Sequence, residues 1–255
     1  MRQIILDSSY TFIQILEKLD KFKNEITSNP KFIFRGQSDV NWTLQPSFTR
    51  IVLQKKLDRT QSLQLEHECL DKFLISAKNL LLPQQTIPLL IEGKNDFIPW
   101  LIYMQHFSSP TRMLDWTTSS IVALYFSCID NYDYDGAIFV TDCNKIPFNP
   151  NLQKLFLEGV LNPDSRDILM NVTAFVSNER LEAQQGKFTV CTNPLIDHQE
   201  ILIEIDALTK IIIPKELKLM ILKHLYQMNI NAKTLFPGID GLGKSILEYS
   251  ILWNQ

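Results

Sequence analysis

Apolar residues follow two different periods along this chain, and the switching between them limits the fold more than any single motif does. Between residues 10 and 27, Phe12, Ile13, Leu16, Leu19, Phe22 and Ile26 recur at helical spacing, and Asn29-Pro30 ends the pattern. A short apolar run at 31–35 then reads as a strand, followed by a polar loop holding Trp42 and Pro46. The spacing predicts helices over 60–82, about 97–107 and 119–129, with Pro110 breaking the pattern between the last two. Ala137–Thr141, Lys187–Cys191 and Ile201–Ile205 read as strands. Pro214 opens a helix to about 228, and a closing helix runs from about 241 to 252. Residues 144–180 mix the two periods. There is no repeat, low-complexity tract or Gly/Ser linker. Helices early and late with strands between predict one α+β domain over residues 1–255, with a central, mainly antiparallel sheet flanked by N- and C-terminal helices.

Composition narrows the function classes. With 45% hydrophobic and 21% charged residues, the 255-residue chain has the profile of a soluble globular protein. A net charge of −3 supplies no global basic field for nucleic acid, and Arg50, Lys55, Lys56 and Arg59 read as a solvated face. No apolar run approaches the roughly 18 residues of a membrane span. The opening MRQIILDSSYTF is too polar for a secretory signal. The four cysteines are scattered without CxxC spacing. A reducing, cytoplasmic location is expected, with no membrane partner.

Two polar constellations stand out. In FIFRGQSDVNW, residues 32–42, Arg35 and Gly36 come where a buried strand leaves the core. This is either a turn with a solvated arginine or an anion site, since arginine offers a rigid fork of donors and glycine lets backbone come close. In MQHFSSPTRMLDWTTSSIVALYFS, residues 104–127, His106, Arg112, Asp115, Trp116, Thr117, Thr118, Ser119 and Ser120 crowd together. Hydroxyls cap the apolar helix that follows, but four exceed the need of one cap, and a helix start beside hydroxyls also seats an anion. Arg112 and Asp115 can instead form a loop ion pair, and His106 can face the core. The four histidines show no HxH or HxxxH spacing, so no metal is expected. GxSxG and the dinucleotide glycine fingerprint are both missing. His106 as a base, with Arg112 on a phosphate and Asp115 nearby, leaves a phosphodiesterase or nuclease open.

FRG at 34–36, W-x-L-x-P-S at 42–47, QHFSSPTRMLDWTTSSIVALYFS, QQGKFT at 184–189 and TLFPGIDGLGKSI at 234–246 together resemble the FRG domain family over about 30–246. A weaker resemblance is to ADP-ribosyltransferases of the Arg–Ser–Glu type. These have an arginine ending a first strand, a Ser-Thr-Ser-like segment before a helix with a small residue and an aromatic, and a glutamate just before a later strand. Arg35-Gly36, then Thr118-Ser119-Ser120 with Ala123 and Phe126, then His198-Gln199-Glu200 stand in that order here. The resemblance implies NAD as substrate and an unknown macromolecular acceptor. It implies Arg35, Ser119 and Glu200 as catalytic residues, and Arg35, Gly36, His106, Arg112, Thr118 and Ser119 as nucleotide contacts. Glu182 and Glu204 compete with Glu200, and Gln184 or Gln185 can replace the acid. Tyr103, Phe107 or Trp116 can stack on nicotinamide. His198, where arginine-modifying members have a glutamate, disfavours an arginine acceptor. The alternative is a non-catalytic module that binds a nucleotide or a protein segment.

Overall fold

Local sequence sets where each element starts. The computed structural model describes residues 1–23, 31–80, 97–146, 167–172 and 179–253. After β1 (Arg2–Ile5), Thr11 and Gln14 form a reciprocal capping box at the start of α1 (Phe12–Asp20). This helix is shorter than its apolar spacing predicts: Lys21 caps it, and residues 24–27 lie outside the described residues. Then follow β2 (Phe32–Gln37), α2 (Ser47–Gln54), α3 (Arg59–Leu80), α4 (Phe97–His106), β3 (Met113–Thr117) and α5 (Ser120–Cys128). The second half contributes β4 (Gly136–Asp142), β5 (Leu169–Val172), α6 (Glu179–Ala183), β6 (Gly186–Cys191), α7 (His198–Glu204) and β7 (Leu208–Ile213). It closes with α8 (Lys215–Gln227), α9 (Ala232–Leu235) and α10 (Ile239–Trp253).

The architecture is the expected mixed one. The strands form a seven-stranded open sheet in the order β1-β7-β4-β2-β3-β6-β5, in which only β1 and β7 pair in parallel. The expected strand at Ile201–Ile205 is instead most of α7. Asp197 accepts from the Gln199 amide and caps a helix, Leu202 turns into the core, and Ile203 and Glu204 stay exposed. The strand of this region comes slightly later, as β7. The expectation for 144–180 falls mostly on residues outside the described ones, and its described part includes β5.

Alternation along the strands separates two cores. On one face, Phe34, Ile138, Val140 and Ile211 join Val122 and Ala123 of α5 and Ile221 of α8, while Met113, Phe188, Val190 and Met170 join Leu101 and Met104 of α4. On the other face, Ile33, Leu114, Trp116 and Phe139 pack with Leu44 and with Leu202 of α7.

The sheet has a weak seam. Pairing of β2 with β3 is confined to Phe34 opposite Thr117, whereas β2 pairs with β4 along its whole length, from Phe32 to Gln37. Beyond that single pair the two halves of the sheet part, with α5 over one half and α4 over the other.

Gly36 lets α5 lie directly on β2. A β-carbon there would sit 1.9 Å from the Ala123 carbonyl oxygen and 2.7 Å from the Ser127 nitrogen, both rigid helix backbone. Gly36→Ala should therefore destabilise the protein by about 3 kcal/mol, the upper end of ordinary overpacking costs. Chemical denaturation checks this. An unchanged midpoint would mean that α5 does not press on β2.

Candidate functional site

The seam opens into a cleft between α4 and α5, floored by β3 and walled at one end by α6. One part, of about 190 Å³, is lined by Phe34, Arg35, Gly36, Asp115, Trp116, Thr117, Phe126, Arg180 and Gln184. An adjoining part of about 50 Å³ is lined by Ile102, Gln105, His106, Leu181 and Phe188, and shares Asp115, Arg180 and Gln184 with the first.

Arg35 holds the seam from within. Its Nη1 donates to the Asp115 carbonyl at 2.7 Å, where a continued ladder would have put backbone, and its Nε has no partner among the described residues. Burial pushes the guanidinium pKa below its ordinary value, Asp115 opposes that shift, and Arg50 adds to it. The Asp115 side chain is exposed to the cleft. Arg180 comes from α6 with its guanidinium 5.0 Å from the Phe236 ring centre. Among the described residues, neither Asp115 nor Arg180 makes an ion pair. A carboxylate and a guanidinium therefore face the same cavity without pairing with each other. Burial, and then Arg180, lower the His106 pKa, which favours the neutral imidazole. Gln184 is anchored through Nε2 to the Leu235 carbonyl at 2.9 Å.

The hydroxyl segment serves mainly to shape this rim. Ser119 is the N-cap of α5, its Oγ accepting from the Val122 amide at 3.3 Å, and its own amide donates to Thr117 Oγ1 at 3.0 Å. The Thr118 amide donates to the Gln185 carbonyl at 3.0 Å, and its hydroxyl to Gln185 Oε1 at 3.1 Å. The turn before α5 is thereby tied to the turn before β6. Of the expected residues, Arg35, Gly36, His106 and Asp115 line the cleft, while Thr118 and Ser119 do not.

Other expected residues lie elsewhere. Arg112 is 1% exposed and spends its fork on Glu66, with Nε to Oε1 at 2.8 Å and Nη2 to Oε2, while Nη1 reaches the carbonyls of Cys191 and Thr192. It braces α3 against the end of β6 and does not touch the cleft. The phosphate-holding role and the loop pairing with Asp115 are therefore both replaced by a buried pair with Glu66. Glu200 is exposed in the first turn of α7, on the far face of the sheet from α5, and Glu204 is exposed at the end of the same helix. His198 is buried beneath the sheet, with Nδ1 2.9 Å from Thr189 Oγ1, which also accepts from Trp116 Nε1 at 2.8 Å. Glu182 is exposed on α6 and does not line the cleft. Sequence reading missed Arg180, which closes the stretch of mixed periodicity. Its only signal was its place four residues before Gln184.

Among the described residues, no group of three or more His, Cys, Asp or Glu could hold a metal ion, and no helix is long and apolar enough to cross a membrane. Residues 30–136 match the family model of the FRG domain, a shorter span than the resemblance implied. No curated protein and no solved structure matches the chain.

Two expectations test the structural assignments. Glu66→Ala strands a buried guanidinium and should cost about 3–5 kcal/mol in urea unfolding. A loss below about 1 kcal/mol, the size of an exposed pair, would contradict the buried bridge. Burial lowers the His198 pKa to about 3, with Arg35 adding to the effect. The unfolded chain binds this proton at about pH 6.5. The neutral imidazole's contribution is therefore complete above about pH 6.5 and is lost as pH falls toward 3, at up to about 1.4 kcal/mol per pH unit. Denaturant midpoints between pH 7 and 4 should fall less steeply in His198→Gln than in the wild type. Parallel slopes would place the imidazole in solvent.

Proposed function

The chain carries an FRG domain, and on that premise we propose that the cleft at the β2–β3 seam binds NAD or a related nucleotide, as in an ADP-ribosyltransferase-like enzyme. The observation that carries the reading is the meeting of Arg35, Asp115, Arg180 and Gln184 around one cavity of about 190 Å³. Arg180, half-buried and without an acid partner among the described residues, suits a phosphate: in reduced dielectric a guanidinium fork gains most from an anion it can hold in two places. Phe126 offers an aromatic wall for a ring.

The chemistry would fall to Asp115. Cleavage of the bond between nicotinamide and ribose sends the electron pair out with nicotinamide and leaves positive charge on the sugar. A carboxylate facing that carbon stabilises the charge while the acceptor, water or a macromolecular nucleophile, forms the new bond. The acceptor's proton passes to the carboxylate or to solvent. Asp115 is the carboxylate that lines the cleft among the described residues, whereas Glu200 lies across the sheet. The position before β6 that reaches the cavity carries Gln184. That amide supports a second reading, in which the module binds the nucleotide without turning it over.

Incubation with NAD, with nicotinamide release followed by chromatography, separates these readings. Asp115→Asn should lower release about 100-fold, Arg180→Ala should weaken NAD binding about tenfold, and Glu200→Gln should change neither. Abolition by Glu200→Gln with full activity in Asp115→Asn would overturn the assignment. NAD binding that depends on Arg180, with no release by the wild type, would select the binding module.

A further inference from the structure

A second cavity, of about 240 Å³, lies between α5 and α10 on the other side of Phe126, which lines both spaces. Phe236 borders the second cavity and stands edge-on to Phe126, with ring centres 5.9 Å apart. Two cations address the Phe236 ring: Arg180, from the first cavity, at 5.0 Å from its centre and Lys244, which lines the second, at 4.0 Å. Neither makes an ion pair among the described residues. Aromatic and aliphatic side chains supply most of the remaining wall, including Tyr125, Tyr132 and Ile251.

One buried acid faces this apolar space. Glu248 lines the cavity and is 3% exposed. Its Oε2 accepts from the Ala232 amide at 2.7 Å and lies 3.5 Å from the Tyr125 hydroxyl. Its Oε1 is enclosed and has no partner among the described residues. A buried carboxylate oxygen left without a donor is costly, and native structures seldom keep one without a use. Burial also raises the Glu248 pKa, opposed by the Ala232 amide and then Tyr125.

We infer that the second cavity is the base subsite of the same nucleotide, taking a purine that bears an exocyclic amine. The aromatic walls hold the ring, Glu248 Oε1 accepts the amine, and Arg180 and Lys244 bracket the diphosphate where the two cavities meet. This rests on the nucleotide reading of the cleft and deepens it by giving the base of that nucleotide a place and a recognition group.

Calorimetry with three probes tests it: ADP-ribose, its hypoxanthine counterpart and nicotinamide mononucleotide. Wild-type protein should prefer ADP-ribose over the hypoxanthine compound by about tenfold, since a site built to accept an N–H rejects an analogue that presents oxygen. In Glu248→Gln, the amide oxygen must turn to the Ala232 N–H and present NH₂ to the cavity, so the preference should reverse. Should that variant fail to fold, Lys244→Ala should weaken ADP-ribose about tenfold and leave the mononucleotide unchanged. Equal binding of the two bases by the wild type, equal weakening of both by Glu248→Gln, or equal weakening of ADP-ribose and the mononucleotide by Lys244→Ala would each overturn the base subsite. If the mononucleotide still binds through Arg180 in those cases, the cleft reading stands alone. If none of the three probes binds, both fall.

Discussion

The single residue pair joining β2 to β3 is the constraint on which the site depends. A sheet normally satisfies its backbone groups along the whole length of neighbouring strands. Here the ladder stops at Phe34 and Thr117, and the Arg35 guanidinium takes over by donating to the Asp115 carbonyl. The halves of the sheet stay connected, yet a space opens between them. Gly36 keeps α5 close on one side of that space because no side chain intervenes. A longer ladder would close the cleft, and a bulkier residue at 36 would lift the helix that walls it.

Burial then sorts the polar residues into two groups. Arg112 and His198 lie in the dry interior. Arg112 meets a carboxylate and two carbonyls, and His198 is kept neutral beside a threonine hydroxyl. Arg112, with its fork spent in this way, holds the fold in one arrangement and has little left to offer a ligand. Arg180, Asp115 and His106 lie where solvent reaches and make no ion pair among the described residues. Their capacity to bind is unspent, which is what a site for a charged ligand requires.

Much of the architecture was legible because helical spacing is a strong signal. The helices expected near 60–82, 97–107, 119–129, 214–228 and 241–252 correspond to α3, α4, α5, α8 and α10 within a few residues. Ile201–Ile205 misled because a short apolar run has no period of its own, and the Asp197 cap decided for a helix. β3 was hidden inside a polar constellation whose hydroxyls drew attention to the following helix. The site was half legible. Arg35 and Gly36 could be singled out by the glycine after an arginine, although β2 does not end there but runs through both to Gln37. Arg112 and Asp115 could not be told apart as buried brace and cleft carboxylate, because their difference is one of strand face and of a partner, Glu66, that is 46 residues away. Arg180 and Glu248 come together with the rest only through the tertiary fold.

A structure with ADP-ribose bound probes the seam most directly. The expected result is ligand in the gap between β2 and β3, its diphosphate against Arg180 and its ribose beside Asp115. Ligand seated on the face that carries Glu200, or an empty seam at saturating ADP-ribose, would contradict a nucleotide site there.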